Sequence, residues 1–413
     1  MRRLIAGVLL FCILLSGCGA GNNPETTAAS KNDTTAAVTT AAEITSAAET
    51  TAADTTAAET TPAETTTAAE TTTVEVTITM EETTSPAETT TSPETTSIPE
   101  TTEPEAVIEN ISNNAEGHYT FNPHVFGSRY LEQFGEKMRD ALFAYCDALR
   151  NGDDYFDCPD QDTAAWCSGR LGHFFCPVAQ GNAEAGVCKN GRCRIIYMIP
   201  KEEFLEKQKA FEEEIVAILN DCLADDYSDL EKILALYEYM TTNYEYDHEM
   251  YEHSLEWMDR QGTCRCLAEK KGICNEIASL YNYLLLQVGI DSEEMGGTVY
   301  FGDGTADGHS WVFVTLNGKS YHIDPTYGLT TDRPPLAYFM MTDKIREERD
   351  GFPIAEFSLA AWGDQTRKNC EFEATSEDYS DLWYGDYIGM DRAAHEIVFR
   401  NYWGNLERFP YAE

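Results

Sequence analysis

Basic residues are scarce in this chain. Its 29 Lys and Arg stand against 71 Asp and Glu, a formal net charge of −42. That excess argues against nucleic acid and anionic lipid surfaces as partners, because a protein meets a polyanion with a basic face. It is compatible with cationic ligands, or simply with solubility. The apolar run from Leu4 to Leu15 is shorter than the roughly 20 residues a membrane-spanning helix needs. Large apolar side chains are almost missing from residues 22–105, where Thr, Ala, Glu and Pro recur in loose ETT and TTAAE repeats. Such a stretch cannot bury a core. Metal-binding spacing is lacking as well. Neither Cys188-x4-Cys193 nor Cys264-x-Cys266 is followed by a second pair at zinc spacing, so no metal and no cofactor are expected.

The N-terminus has the pattern of an export signal. Met1-Arg2-Arg3 precedes the apolar run, and Leu15-Ser16-Gly17-Cys18 follows it. The LSGC end resembles a bacterial lipobox. That resemblance implies that residues 1–18 are a lipoprotein signal peptide, with Cys18 lipidated as the mature N-terminus. Residues 19–105 then read as a disordered, self-repelling stalk, able to reach on the order of 280 Å when fully extended. The expected location is the extracytoplasmic face of the cell membrane, held there by the lipid alone.

The stalk does not account for the acidity, since 16 of the 71 acids fall between residues 22 and 105. From Ala106 onward there is chain enough for one large domain. We divide it into a helical and Cys-rich part (106–230), a core (231–345) and a C-terminal extension packed on that core (346–413). Periodicity predicts helices over Tyr130–Leu149, Lys201–Leu223 and Leu230–Tyr244. A hairpin is expected on Asn190-Gly191, within Val187–Ile199, and Tyr338–Met341 reads as a short strand or the start of a helix. With Cys12 and Cys18 set aside and Cys274 kept as a thiol, ten cysteines remain, an even number that suggests disulfides in an exported chain. The best local pair is Cys188 with Cys193, facing each other across the Asn190-Gly191 turn. Cys264 and Cys266 could form a bridge just ahead of the Cys274 helix. The partners of Cys158, Cys167 and Cys176 stay open.

The stretch Gly262–Gly328 carries the chemistry. Ile273, Ile277, Leu280, Tyr281, Leu284, Leu285 and Val288 recur at helical spacing, and Gly289 marks the end. Cys274 therefore lies in the first turn, where free N–H groups and the helix dipole favour thiolate, the nucleophilic form. His309–Leu316 and Lys319–Asp324 alternate as strands around Asn317-Gly318, the preferred two-residue hairpin turn. That turn sets Leu316 against Lys319 and, by the same register, Asp324 against Trp311. His309 and Asp324 then share one face at the open end of the hairpin, diagonal neighbours roughly 7 Å apart. That is within reach of an imidazole–carboxylate hydrogen bond, with the other ring nitrogen turned to Cys274. His322 falls on the same face deeper in the hairpin and reads as packing or support.

The pieces GIC at a helix start, GHSW and YHIDPTYG resemble the transglutaminase-like, papain-fold superfamily. The resemblance implies an α+β fold with the Cys-bearing helix packed on an antiparallel sheet. It also implies Cys274 as nucleophile, His309 as general base and acid, and Asp324 as its orienter. An oxyanion donor is supplied by the backbone N–H of Cys274, and Tyr246 and Cys266 are positional guesses for a neighbouring group. The expected activity is that of a thiol enzyme acting on a peptide or amide carbonyl of a cell-surface substrate, hydrolysis being slightly favoured over cross-linking. The alternative is a non-catalytic wall-binding module presenting Trp311, Trp362, Trp383 and Trp403. Oligomeric state is not legible.

Overall fold

A computed structural model of the chain describes residues 118–302, 304–330, 333–360 and 372–412. The proposed signal peptide with Cys18, the stalk 19–105, Trp362 and Cys370 lie outside the described residues.

The centre of the fold is an antiparallel four-stranded sheet in the order β8-β7-β6-β9. Its strands are β6 (Ser292–Tyr300), β7 (Ala306–Leu316), β8 (Lys319–Ile323) and β9 (Ser358–Leu359). The β7–β8 hairpin turns on Asn317 and Gly318, both at positive φ (53° and 73°), as a type I′ turn demands. Its register pairs Leu316 with Lys319 and Val312 with Ile323, the pairing that the turn residues predict. β8 also bridges His322 to Met341, so the Tyr338–Met341 segment runs along the sheet edge behind a 3-10 turn (Pro335–Tyr338).

Helix α6 (Cys274–Gln287) packs on β6 and β7 and is buried along almost its whole length. Around it stand α3 (Asp229–Asn243), α5 (Thr263–Glu269) and α7 (Pro325–Thr330). α3 starts with a capping box, Ser228 and Glu231 each satisfying the other's backbone N–H. Its apolar face, Ile233, Leu236, Tyr237 and Met240, is fully buried. The fold is thus α+β, a Cys-bearing helix laid on an antiparallel sheet.

The N-terminal part adds α1 (Ser128–Asn151), α2 (Lys201–Cys222) and a small sheet of β1 (Tyr155–Asp157), β3 (Arg192–Tyr197) and β2 (Ala183–Lys189). α1 is kinked at Gly135 (φ 78°). The buried face shifts there: Tyr130 rather than Leu131 is buried before the kink, while Leu142 and Tyr145 are buried after it. The Cys-rich stretch, which shows little periodicity in sequence, holds short helical turns between Gln161 and Ala179. Beyond the core, β10 (Gly385–Asp391), β11 (Glu396–Asn401) and β12 (Leu406–Pro410) form a third antiparallel sheet. Trp383, just before it, donates its indole N–H to the Phe339 carbonyl at 2.9 Å.

Candidate active site

Cys274 is the first residue of α6, half-buried, and carries a thiol rather than a bridge. The head of this helix is held from below by Glu276. Its carboxylate accepts the N–H of Ile273 (3.1 Å) and of Gly262 (2.7 Å). Arg265 grips the same carboxylate with two nitrogens and reaches Asp247 at 2.9 Å. The start of the helix is therefore fixed by charge-assisted bonds inside the protein. Two short strands, β4 (Glu245–Tyr246) and β5 (Lys271–Gly272), pair in parallel and set Tyr246 opposite Gly272, two residues before the cysteine.

His309 lies on β7 and Asp324 just past β8. His309 Nε2 meets Asp324 Oδ2 at 2.7 Å, with the carboxylate completely buried and the imidazole 7 % exposed. Asp324 also caps α7. Its Oδ1 accepts the Tyr327 N–H at 2.9 Å, and Pro325 occupies the first helical position. Burial alone would raise the Asp324 carboxyl. The charge and hydrogen bond of His309, the Arg346 guanidinium and the Tyr327 N–H outweigh it and hold the group below its ordinary range. With Nε2 committed to the carboxylate, Nδ1 is the ring nitrogen left to serve a nucleophile.

Tyr327 joins the two halves of the site. Its ring stacks on the His309 imidazole with centroids 4.4 Å apart. Burial pushes the Tyr327 phenol up; Arg346 opposes that rise, and Asp324, Asp350 and, least, Cys274 add to it. Burial and the Cys274 charge likewise push up the phenol of Tyr246; for Tyr251, burial and Asp307 act ahead of the cysteine. Tyr251, on α4 (His248–Glu252), donates a short hydrogen bond to Asp307 at the start of β7. Trp311 backs His309 from within the sheet, centroids 6.2 Å apart. The strand position opposite His309 is Gly297. A Cβ there would come within 2.6 Å of the Trp311 ring, so glycine is what lets the indole lie across β6.

Of the residues picked out in the sequence, Cys274 heads α6, and His309 and Asp324 come into contact. The sequence pattern does not single out Tyr327, Tyr251 or Arg346. Arg346, on α8 (Asp343–Glu348), is fully buried with its Nη1 3.2 Å from Asp324 Oδ2. Nothing in Asp343-Lys-Ile-Arg-Glu-Glu-Arg-Asp350 separates it from an exposed, charged helix. Tyr327 sits inside the quoted YHIDPTYG piece, and helical spacing from Asp324 was the signal available. His322 proves to be support: it accepts the Trp311 indole N–H on Nδ1 (2.9 Å) and meets Asp343 through Nε2 (2.8 Å). Of the two positional guesses, Tyr246 pairs with Gly272, two residues before Cys274. Cys266 is buried under Gly272, where burial and Glu276 push its thiol well up.

The cysteine pairing differs from expectation. The bridge among the described residues is Cys146–Cys176. Cys188 and Cys193 do stand opposite each other across the turn, yet both are thiols. A bulge between Ala185 and Cys188 redirects the strand. The Cys188 sulfur turns to the Cys158 carbonyl (3.2 Å) and that of Cys193 to the Gly186 carbonyl (3.4 Å). Cys264 and Cys266 are unbridged as well, because residues two apart on a helix face different sides. Cys266 points to Gly272, whereas Cys264 lies by Tyr283. Burial raises the Cys158 and Cys193 thiols to about 11 and Cys264 to about 12, which leaves them poor nucleophiles at neutral pH. Among the described residues no three His, Cys, Asp or Glu side chains gather as a metal site.

Residues 216–325 match the model of the transglutaminase-like superfamily. No curated protein matches the chain. Solved structures similar to it include one described as a TGase, at 13% identity, TM-score 0.26, covering 37% of this chain and 45% of that one. A provisionally named cysteine protease from Cytophaga hutchinsonii shares 19% identity, TM-score 0.21, over 29% of this chain and 37% of that one. Arylamine N-acetyltransferase C from Bacillus anthracis shares 14%, TM-score 0.24, over 48% of this chain and 91% of that one. The chain spans less than half the length of the first two. The motif-level resemblance and the superfamily model fall on the same stretch, which contains Cys274, His309 and Asp324. Residues 216–325 of this chain are a transglutaminase-like superfamily domain.

Proposed function

We propose that the protein is an exported, membrane-anchored thiol enzyme that acts on a peptide or amide carbonyl through an acyl-enzyme. The observation that carries this reading is the buried His309–Asp324 pair, joined at 2.7 Å and covered by the Tyr327 ring, on a fold whose neighbouring helix begins at Cys274. In the proposed reaction the Cys274 sulfur attacks the carbonyl carbon. The oxyanion forms against the backbone N–H groups at the head of α6. His309, carrying the proton taken from the Cys274 thiol, passes it to the departing amine as the C–N bond breaks, leaving a thioester. Water, deprotonated by His309, then releases the acid and restores the thiol; an amine in place of water would give a cross-link. We favour water, because a tethered surface enzyme meets it everywhere. Asp324 orients the imidazole and steadies its cation.

The test is alkylation of the full chain by iodoacetamide across pH. Cys274 is expected to react at pH 6 on the order of 10-fold or more faster than an unactivated thiol, whose thiolate is then scarce. The advantage is expected to disappear in His309→Ala. A wild-type Cys274 no faster than a free thiol at pH 6 ends the mechanism. A second reading, a binding module without turnover, is supported by Tyr402 and Trp403, which stand 80 % and 77 % exposed at the β11–β12 turn. Trp311 and Trp383 are buried and offer no platform. That reading predicts partner capture that Cys274→Ala leaves unchanged and Trp403→Ala abolishes.

A further inference from the structure

Behind the His309–Asp324 pair sits a charge that the proposed reaction does not use. Arg346 is completely enclosed. Its Nη1 lies 3.2 Å from Asp324 Oδ2 and 3.0 Å from Asp350 Oδ2, so one nitrogen serves two carboxylates. The Asp324 oxygen it meets is the same one that holds His309 Nε2. Its Nε and Nη2 meet no hydrogen-bond acceptor among the described residues. Instead the guanidinium lies over the Trp311 and Phe352 rings, 4.4 Å from each centroid, and 5.5 Å from Tyr327. Those are the three aromatic rings that surround the His309 imidazole. A buried cation that leaves donors unmatched is costly. Were its task only to fill space, an apolar side chain of similar volume would do as well or better.

We propose that Arg346 is a positioning residue which, shared between Asp324 and Asp350, sets how strongly the His309–Asp324 pair holds a proton. An isolated buried carboxylate stabilises an imidazolium strongly, and the histidine then becomes a weak acid. A cation on the same oxygen draws off part of that charge, so the imidazolium gives up its proton more readily. Asp350 is the counterweight: by occupying the guanidinium it limits how much is drawn off. Arg349 bonds Asp350 at 2.7 Å and so tempers the counterweight in turn. The remaining groups around the pair are Tyr327 from α7 and Tyr237 from α3, whose phenol senses Asp324; Cys274 of α6 acts on Tyr327. Of the groups facing the pair, Arg346 is the permanent cation, since a guanidinium does not titrate in the working range.

The experiment is a titration of the His309 ring by NMR in the full chain, with 13C-labelled histidine and the signal assigned by its loss in His309→Gln. Arg346→Met keeps the apolar volume and removes the charge. The His309 midpoint is expected to rise by about one unit or more, the usual effect of a charge at this distance. Asp350→Asn leaves the guanidinium to Asp324 alone, and the midpoint is expected to fall. Arg346→Lys restores the charge and returns the midpoint toward wild type. Opposite shifts in the two neutralised variants support the assignment. Unmoved midpoints, or shifts of the reverse sign, overturn it and leave Arg346 as packing. Should Arg346→Met fail to fold, the fall in Asp350→Asn decides by itself. The inference rests on the thiol-enzyme reading. If wild-type Cys274 fails the alkylation test at pH 6, that reading falls whatever the midpoints do. If it passes and the midpoints stay fixed, only the role of Arg346 falls.

Discussion

The Asp324 carboxylate has three partners among the described residues, and each predicts something different. It orients His309, caps α7 and neutralises part of Arg346. Asp324→Asn keeps the shape and an acceptor for the imidazole but removes the charge. If the proposed triad operates, turnover on a peptide or amide substrate is expected to fall by up to about 10⁴-fold, the loss when a triad carboxylate is neutralised. The same substitution tests the titration. The folded carboxyl ionises below its ordinary value, held there against burial by its partners. Between the folded value and the unfolded one near 4, the unfolded chain binds more protons. The stabilisation is therefore complete above about pH 4 and is lost as pH falls through the folded value. Melting temperatures of wild type should drop more between pH 6 and pH 3 than those of Asp324→Asn, and equal drops would remove the ionic account of this residue.

Elements are joined by buried polar groups as well as by the apolar core. β6 carries Glu293 and Glu294 side by side, both buried. Glu293 docks α1 by accepting the Arg129 N–H at 2.8 Å. Glu294 accepts a short hydrogen bond from Ser279 of α6, so it pins that helix to the sheet. Burial raises the Glu294 carboxyl to about 8 against the opposing pull of its hydrogen bonds with Ser279 and Ser310. An unfolded glutamate ionises near 4.5, so between about pH 4.5 and 8 the folded state holds the extra proton. Stability therefore falls as pH rises through that window and levels off above it. Glu294→Gln retains hydrogen-bonding capacity and cannot ionise. Its melting temperature is expected to lose less than that of wild type between pH 5 and pH 9. A variant tracking wild type across the range would show that Glu294 is ionised in the fold after all.

At the scale of the molecule, the N-terminal part is tied together by a bridge and the whole is proposed to hang from a lipid. Cys146–Cys176 joins the C-terminal half of α1 to the Cys-rich turns, closing a loop of sequence separation 30. Loop-closure entropy puts its contribution at about 3–4 kcal/mol. Denaturant unfolding of Cys146→Ser/Cys176→Ser should show a loss of that order. If the change is under about 1 kcal/mol, the bridge is dispensable and the α1 packing suffices. The anchor is tested separately. Cys18→Ala should shift the protein from the membrane fraction to the soluble one and abolish incorporation of labelled palmitate, whereas a variant still sedimenting with membranes would refute lipidation as the tether.

What the amino-acid order determined alone was local. Asn317-Gly318 admits one tight turn, that turn allows one register, and the register places His309 beside Asp324 before any tertiary contact is known. Helical periodicity put Cys274 at the head of its helix in the same way. Tertiary structure decided the rest. Arg346 reads as a solvated helix charge until α8 is packed behind the sheet. Cys188 and Cys193 oppose each other in sequence logic, but a bulge and nearby carbonyl acceptors turn their sulfurs elsewhere. Turn and helix signals act over a few residues and survive in any context. The company kept by a buried charge or a sulfur depends on which distant segments close over it, and packing, not pattern, settles that.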